Sequence, residues 1–156
     1  VEIHIMWGNH DIRIQRLAEK SAIPEAFLKD INDILEIDKK WKWTWHNKVI
    51  LNLPNKTKVF FTHNFNSNVL SSSKELGMSL VTGHQHTKSS IEYWSSPTSL
   101  NFSLCTGSSI DPKSEAFKYG KNFIKRPIIS VGAIINNQPV IYAMPLDNNG
   151  EWTGAL

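Results

Sequence analysis

The chain has 156 residues, of which 40% are hydrophobic and 20% are charged, and its formal net charge is +3. This length suits one domain, and the small charge does not argue for a nucleic-acid or membrane partner. No apolar stretch reaches the roughly 18 residues of a membrane span, and the lone Cys105 suits a reducing compartment, so we expect a cytoplasmic protein without a membrane partner.

The first half of the chain predicts alternating strands and helices. Residues 1–7 alternate as a strand does and lead into a turn at Gly8. Residues 12–20 predict a helix. Residues 24–37 predict a second one, because a proline stands at its start and its apolar residues share one face.

The second half predicts mainly strands. Residues 48–53 and 58–62 are expected to be two strands joined by a turn. A helix over 69–76 is expected to end at Gly77. Further short strands are predicted at 79–82, 90–94, 101–106, 128–135 and 140–143. The dipeptide Asn136-Asn137 predicts a hairpin turn between the last two strands.

Gly8-Asn9-His10-Asp11 follows the first predicted strand. The carboxyl end of a strand is where α/β sheets usually bind ligands. The amide oxygen of Asn9 suits a divalent metal, and His10 beside Asp11 suits a proton donor. The alternative is an ordinary polar turn, since Asn and Asp are common turn formers.

Gly83-His84-Gln85-His86 follows another predicted strand, and His63 follows the strand over 58–62. Histidines two residues apart in extended chain point the same way, roughly 6.6 Å apart. That spacing lets each histidine bind one of two metals roughly 3.5–4 Å apart, or lets both bind one metal. The alternative is two surface histidines in a loop.

In this order the motifs resemble those of the calcineurin-like metallophosphoesterases. In that family Asp-x-His and Gly-Asp-x-x-Asp precede Gly-Asn-His-Asp/Glu, a histidine and Gly-His-x-His. The last three blocks stand here at 8–11, at His63 and at 83–86. Phage and prokaryotic members often continue with Ile-Arg, as Ile12-Arg13 does. The resemblance implies a metallo-dependent phosphatase-like α/β fold, a four-layer αββα sandwich of two mixed sheets.

The resemblance also implies a metal centre. Asn9, His63 and His84 would bind one divalent ion, and His86 would bind a second. Mn²⁺ is the first candidate, and Fe, Zn, Ni, Co and Mg are the others. A hydroxide bridging two metals would be the attacking group, because the metals lower the pKa of bound water.

The implied reaction is hydrolysis of a phosphate monoester or diester. His10 would protonate the leaving oxygen with Asp11 as its partner. Arg13 would contact a phosphate oxygen of the substrate, as arginine does well. The identity of the phosphoester and the oligomeric state do not follow from the sequence.

Two features depart from the family pattern. The chain begins at Val1 and no Asp precedes Asp11, so the first two family blocks are absent. We therefore interpret residues 1–156 as a single domain that lacks its N-terminal strands and the bridging carboxylate. Such a chain is expected to bind at most one metal and to be inactive alone. In addition, Asn64 stands where glycine often follows the histidine.

Two other functions stay open, a non-catalytic protein-binding module and a nuclease of the same superfamily. The presence of His10 argues against the first, because a non-catalytic site has no need of a proton donor. Trp41, Trp43 and Trp45 alternate among lysines, a pattern that suits a strand packed on a core or a platform for a nucleic-acid base.

Four further ionisable residues have no predicted role in the site. His4 and His46 have no motif around them and are interpreted as structural. Asp111 and Glu115 fall in a predicted loop and are assigned no catalytic role.

Overall fold

The structure, a computed structural model, describes residues 2–38, 40–110 and 125–154. Asp111 and Glu115 lie outside these ranges. By its internal contacts the chain divides into two compact units, Val1–Lys48 (unit 1) and Val49–Leu156 (unit 2). The interpretation as a single domain stays a prediction, and the two units are described separately below.

The described residues of unit 1 form two strands and two short α-helices. They are β1 (Glu2–Met6), α1 (Arg13–Lys20), α2 (Ile31–Ile34) and β2 (Lys42–His46). The strands pair in parallel with Glu2 opposite Lys42 and Met6 opposite His46, and we call this pair the β1–β2 ribbon. The structure thus confirms the predicted first strand and first helix.

One face of the ribbon is apolar because side chains alternate along a strand. Trp7, directly after β1, stacks on Trp45 with ring centroids 4.3 Å apart. The indole N–H of Trp45 donates to the side-chain oxygen of Asn32, at 2.8 Å. Trp43 is also partly buried, whereas Trp41 precedes the strand and is exposed. Within unit 1, Trp43 and Trp45 therefore pack as strand residues.

The predicted helix over 24–37 is wrong. The structure has a 3₁₀ turn at Glu25–Phe27, an extended Leu28, and only four helical residues in α2. Asp30 has an extended backbone, and its carboxylate accepts a hydrogen bond from the N–H of Asn32 at 2.8 Å. An Asp side chain that caps a new helix start competes with continuous helix, so the apolar stripe is interrupted.

The described residues of unit 2, together with Lys48 at its boundary, form seven strands and one helix. They are β3 (Lys48–Asn52), β4 (Lys58–Thr62), α3 (Val69–Leu76), β5 (Ser79–Thr82), β6 (Ser89–Ser95), β7 (Leu100–Thr106), β8 (Ser130–Ile135) and β9 (Gln138–Ala143). All eight correspond to predicted elements, with ends shifted by at most a few residues.

The five strands β3 to β7 form a mixed sheet in the order β3-β4-β5-β7-β6. β4, β5 and β7 are parallel, and β6 runs antiparallel to β7. β8 and β9 form a separate antiparallel hairpin. Its turn residues Asn136 and Asn137 have φ of 51° and 64°, as expected for a hairpin turn.

The core of unit 2 lies on both faces of this sheet. On the α3 side the buried side chains are Phe60, Val69, Leu80 and Cys105. On the hairpin side they are Val59, Phe102 and Leu104, with Ile134 and Ile141 of the hairpin packed against them. Unit 2 therefore has three layers, which are helix α3, the five-stranded sheet and the β8–β9 hairpin.

Helix α3 ends where the sequence predicts. Gly77 adopts a left-handed conformation with φ of 67°, a helix end that glycine forms without steric cost. No helix in the described part of the chain is both long enough and apolar enough to cross a membrane.

Candidate metal centre

In unit 1 the Gly8-Asn9-His10-Asp11 motif forms the turn between β1 and α1. The N–H of Ile12 donates to the carbonyl of Gly8 at 3.3 Å. The carboxylate of Asp11 accepts from the N–H of Gly8 at 2.8 Å. Asn9 and His10 lie exposed at this turn. The turn therefore presents the predicted ligand and the predicted proton donor to solvent, and one role of Asp11 is to hold the turn closed.

In unit 2 the predicted histidines lie where neighbouring parallel strands end. Thr62 of β4 is in register with Thr82 of β5. The next residues are therefore at the same edge of the sheet. The N–H of His84 donates to the carbonyl of His63 at 3.0 Å, which extends the strand pairing by one step.

This pairing brings two imidazole rings together. Nδ1 of His84 lies 3.0 Å from Nε2 of His63. The rings are 4.9 Å apart, at 73° to each other. Metal–histidine bonds of about 2.0–2.1 Å place two nitrogens on one tetrahedral ion about 3.3 Å apart. The pair therefore fits two ligands of one metal, as well as a hydrogen bond between two neutral rings.

His86 is placed by a different contact. Its carbonyl accepts from the N–H of Ile128 at 2.8 Å, and the carbonyl of Ile128 accepts from the N–H of Ser108 at 2.9 Å. Gln85, between the two histidines of the motif, donates from its side chain to the carbonyl of Ser67 at 2.7 Å. The loop after β5 is thus tied to segments on either side of it.

Gly107 lies beside the contacts that join His86, Ile128 and Ser108. The sequence alone did not predict a role for it. Its φ is 75°, and a Cβ there would lie 2.2 Å from Oγ of Ser130 and 2.7 Å from the carbonyl oxygen of Ile128. Only glycine fits both conditions. The sequence feature that could have indicated this glycine is its position directly after a buried strand. By contrast, Gly8 and Gly83 do not have positive φ.

Some predicted parts of the centre stay predictions. Among residues 2–38, 40–110 and 125–154, no group of three or more His, Cys, Asp or Glu side chains is placed to hold a metal. The structure brings His63 and His84 together. Asn9 belongs to unit 1, and its joint role with the histidines stays a prediction, as does the role of His86.

Arg13 is the first residue of α1 and is exposed. It lines a shallow surface depression together with Arg16, Leu17 and Lys20 of the same helix. This basic stripe suits an anionic group chemically, but substrate contact by Arg13 stays a prediction.

No protein-family model matches the chain, and no curated protein matches its sequence. Among solved structures the chain is similar to a novel archaeal phosphodiesterase, with a TM-score of 0.51 and 16% identity. That match covers 92% of this chain and 70% of the other. The chain is also similar to Vps29 of Chaetomium thermophilum, with a TM-score of 0.47 and 11% identity, over 81% of this chain and 71% of the other.

The similarity to the archaeal phosphodiesterase concerns the fold alone. It confirms the predicted fold class, an α/β fold with a mixed sheet and few helices. The phage or prokaryotic type stays a prediction.

Proposed function

We propose that this protein is a metal-dependent phosphoesterase that hydrolyses a phosphate diester or monoester. The observation that carries the proposal is the His63–His84 pair, with ring nitrogens 3.0 Å apart at the edge where β4 and β5 end. This is where an α/β sheet usually binds its ligand. The phosphodiesterase among the similar structures favours a diester as the first substrate to test.

The sequence resemblance is what assigns the ligands: His63 and His84 would bind one divalent ion together with Asn9, and His86 would bind a second. Bound Mn²⁺, or another of the candidate metals, would supply a hydroxide nucleophile at neutral pH. The four donors are imidazole nitrogens and an amide oxygen.

His10 is proposed to donate the proton that the leaving oxygen needs. It lies at an exposed turn whose backbone is fixed by the contact between Asp11 and Gly8. A fixed turn keeps the ring near one position, which a proton donor requires. Arg13, three residues further on, is proposed to contact a phosphate oxygen.

The first test is metal binding, measured without reference to activity. Mn²⁺ or Co²⁺ is titrated into the metal-free chain and into a His63→Ala, His84→Ala variant, with the exposed Lys74→Ala of α3 as control. We expect the paired substitution to weaken binding by at least about tenfold, since even outer-shell changes cost about 10- to 100-fold. Equal affinity in all three proteins would refute the metal centre.

The second test is hydrolysis in the intact protein. Bis-nitrophenyl phosphate and nitrophenyl phosphate are compared with Mn²⁺ and with a chelator. We expect metal-dependent release of nitrophenol, faster from the diester. Activity that survives complete metal removal would contradict the proposal.

A further inference from the structure

Unit 1 contains a second pair of histidines with the same distance between their ring nitrogens. Nδ1 of His4 lies 3.0 Å from Nε2 of His46, across 42 positions of sequence. We propose that His4 and His46 form a separate binding site for one divalent transition metal ion of the Zn²⁺, Cu²⁺ or Ni²⁺ class. The site is independent of the proposed function, because it uses none of the residues assigned to the phosphoesterase centre.

The register of the β1–β2 ribbon places these histidines on one face. His4 is opposite Thr44, and His46 is opposite Met6, so the two histidines are diagonal neighbours. Their face is the one opposite the tryptophans, since side chains alternate along each strand. The site therefore lies on the polar side of a two-stranded ribbon.

The atoms that face each other are those that bind metals. A nitrogen pair 3.0 Å apart is within the range open to two imidazoles on one ion, about 3.3 Å at a tetrahedral angle. The same two atom types, Nδ1 and Nε2, meet at the same distance in the His63–His84 pair. The alternative interpretation of the His4–His46 contact is an N–H···N hydrogen bond, which contributes little to stability where water competes for both groups.

Glu2 stands beside the other ring nitrogen of His4. Its carboxylate Oε2 lies 3.9 Å from Nε2 of His4. This distance is too long for a hydrogen bond, so Glu2 acts as a nearby negative charge rather than as a fixed partner of the ring. A carboxylate close to the two rings favours a bound cation.

The donor set selects the class of ion. Imidazole nitrogen suits Zn²⁺, Cu²⁺ and Ni²⁺, whereas Mg²⁺ and Ca²⁺ prefer oxygen ligands. With two protein ligands, water would occupy the remaining coordination positions. The proposed ion would therefore be accessible to water, and its role would be to link β1 to β2.

A metal at this site would connect the two ends of unit 1. Ala18 is the one apolar side chain that is fully buried among the described residues of unit 1. Small units with little core commonly depend on a cross-link or a metal. An ion that bridges residues far apart in sequence stabilises the fold by restricting the unfolded chain.

The test separates this site from the phosphoesterase centre. The reference protein is the full chain with His63, His84 and His86 each changed to Ala, checked by circular dichroism for retained secondary structure. Zn²⁺ is titrated into it calorimetrically. We expect one bound ion per chain and a rise in thermal unfolding temperature with added Zn²⁺, because a ligand that binds only the folded state stabilises it.

Four variants of the reference protein then locate the ion. His4→Ala and His46→Ala should each weaken Zn²⁺ binding by about tenfold or more and remove the thermal shift. Thr44→Ala, on the same face, is the matched control and should retain both. Unchanged Zn²⁺ affinity in the His4→Ala, His46→Ala double variant would overturn the proposal.

A second measurement covers the case in which the reference protein does not fold. In the unmodified chain, substoichiometric Cu²⁺ should broaden the ring resonances of His4 and His46 as strongly as those of His63 and His84. Broadening confined to the unit 2 histidines would show that the unit 1 pair is a hydrogen bond only, and the proposal would fall.

Discussion

His63 and His84 meet because their strands end in register. Thr62 and Thr82 are paired, and the hydrogen bond from the N–H of His84 to the carbonyl of His63 continues that pairing. Taken alone, each histidine is an ordinary residue at the end of a strand. A metal site at this edge needs both histidines, which are 21 positions apart in sequence, so a substitution at either position should affect metal binding.

His10 can be separated from the ligands by mutation. In the intact protein, His10→Asn should keep metal affinity and lose rate, because it removes only the proton donor. The loss should approach about 10²–10⁴-fold for alkyl esters and be small for nitrophenyl esters, whose leaving group needs no proton. Rates on the two ester types and metal affinity are measured together.

His84→Ala is the comparison for that variant. It should weaken metal binding itself, so that added metal partly restores its rate. If added metal rescued both variants equally, His10 would be a ligand and the role proposed for it would be wrong.

Gly107→Ala should destabilise unit 2. A left-handed alanine costs roughly 1–2 kcal/mol, and its Cβ would also overlap the carbonyl of Ile128. Ser130 cannot move away freely, because its hydroxyl donates to the carbonyl of Thr106 at 2.8 Å. The overlap should add about 1–3 kcal/mol, measured by urea unfolding.

Gly77→Ala is the matched control. Gly77 has a similar φ of 67°, but no atom lies within 4 Å of a Cβ built there. It should therefore show the conformational cost without the overlap. Equal destabilisation by the two substitutions would show that the loop around Gly107 adapts to a methyl group.

At the scale of elements, α3 begins and ends with local signals that its sequence carries. The side chain of Asn68 accepts a hydrogen bond from the N–H of Ser71 at 2.9 Å, and Gly77 closes the other end. The region from 24 to 37 has an apolar stripe but also Asp30, whose side chain starts a new helix. Capping residues therefore set the helix boundaries more strongly than the apolar pattern did.

Asn68→Ala should shorten or weaken α3. Loss of an N-cap costs about 0.5–2 kcal/mol, and Val69 of α3 is buried in the same core cluster as Leu80. Asn68→Asp, which keeps an acceptor oxygen, should retain stability. The free energy of unfolding is measured for both, and equal values would show that the cap contributes nothing.

At the scale of the whole molecule, burial is distributed unevenly. Among the described residues, fully buried large apolar side chains such as Val59, Leu80 and Leu104 belong to unit 2. In unit 1 large apolar side chains remain exposed, and Phe27 is 81% exposed. Because local stability follows buried apolar contacts, the two units should differ in how often they open.

Amide hydrogen exchange should show that difference. Without added metal, β4, β5 and β7 should exchange most slowly, and β1 and β2 should exchange faster. Rates are normalised to those of unstructured peptides of the same sequence. Equally slow exchange in β1 would contradict the prediction, and added Zn²⁺ should slow β1 and β2 if the His4–His46 site forms.

Local sequence determined most of the elements and the order of the motifs. Period-two alternation predicted β1, Gly77 predicted the end of α3, and Asn136-Asn137 predicted the turn between β8 and β9, because these signals act between residues close in the chain. The resemblance to metallophosphoesterases named His63, His84 and His86 and implied a fold class that the structural similarity confirms.

Tertiary structure decided which side chains meet. The sequence assigned His4 and His46 no partner, since the register that places them together joins strands 42 positions apart. Gly107 follows a buried strand, but its requirement for glycine arises from the carbonyl of Ile128 and the hydroxyl of Ser130, which are distant in sequence. Pairing between distant segments depends on the packing of the whole sheet, and that information is not contained in any short stretch of the chain.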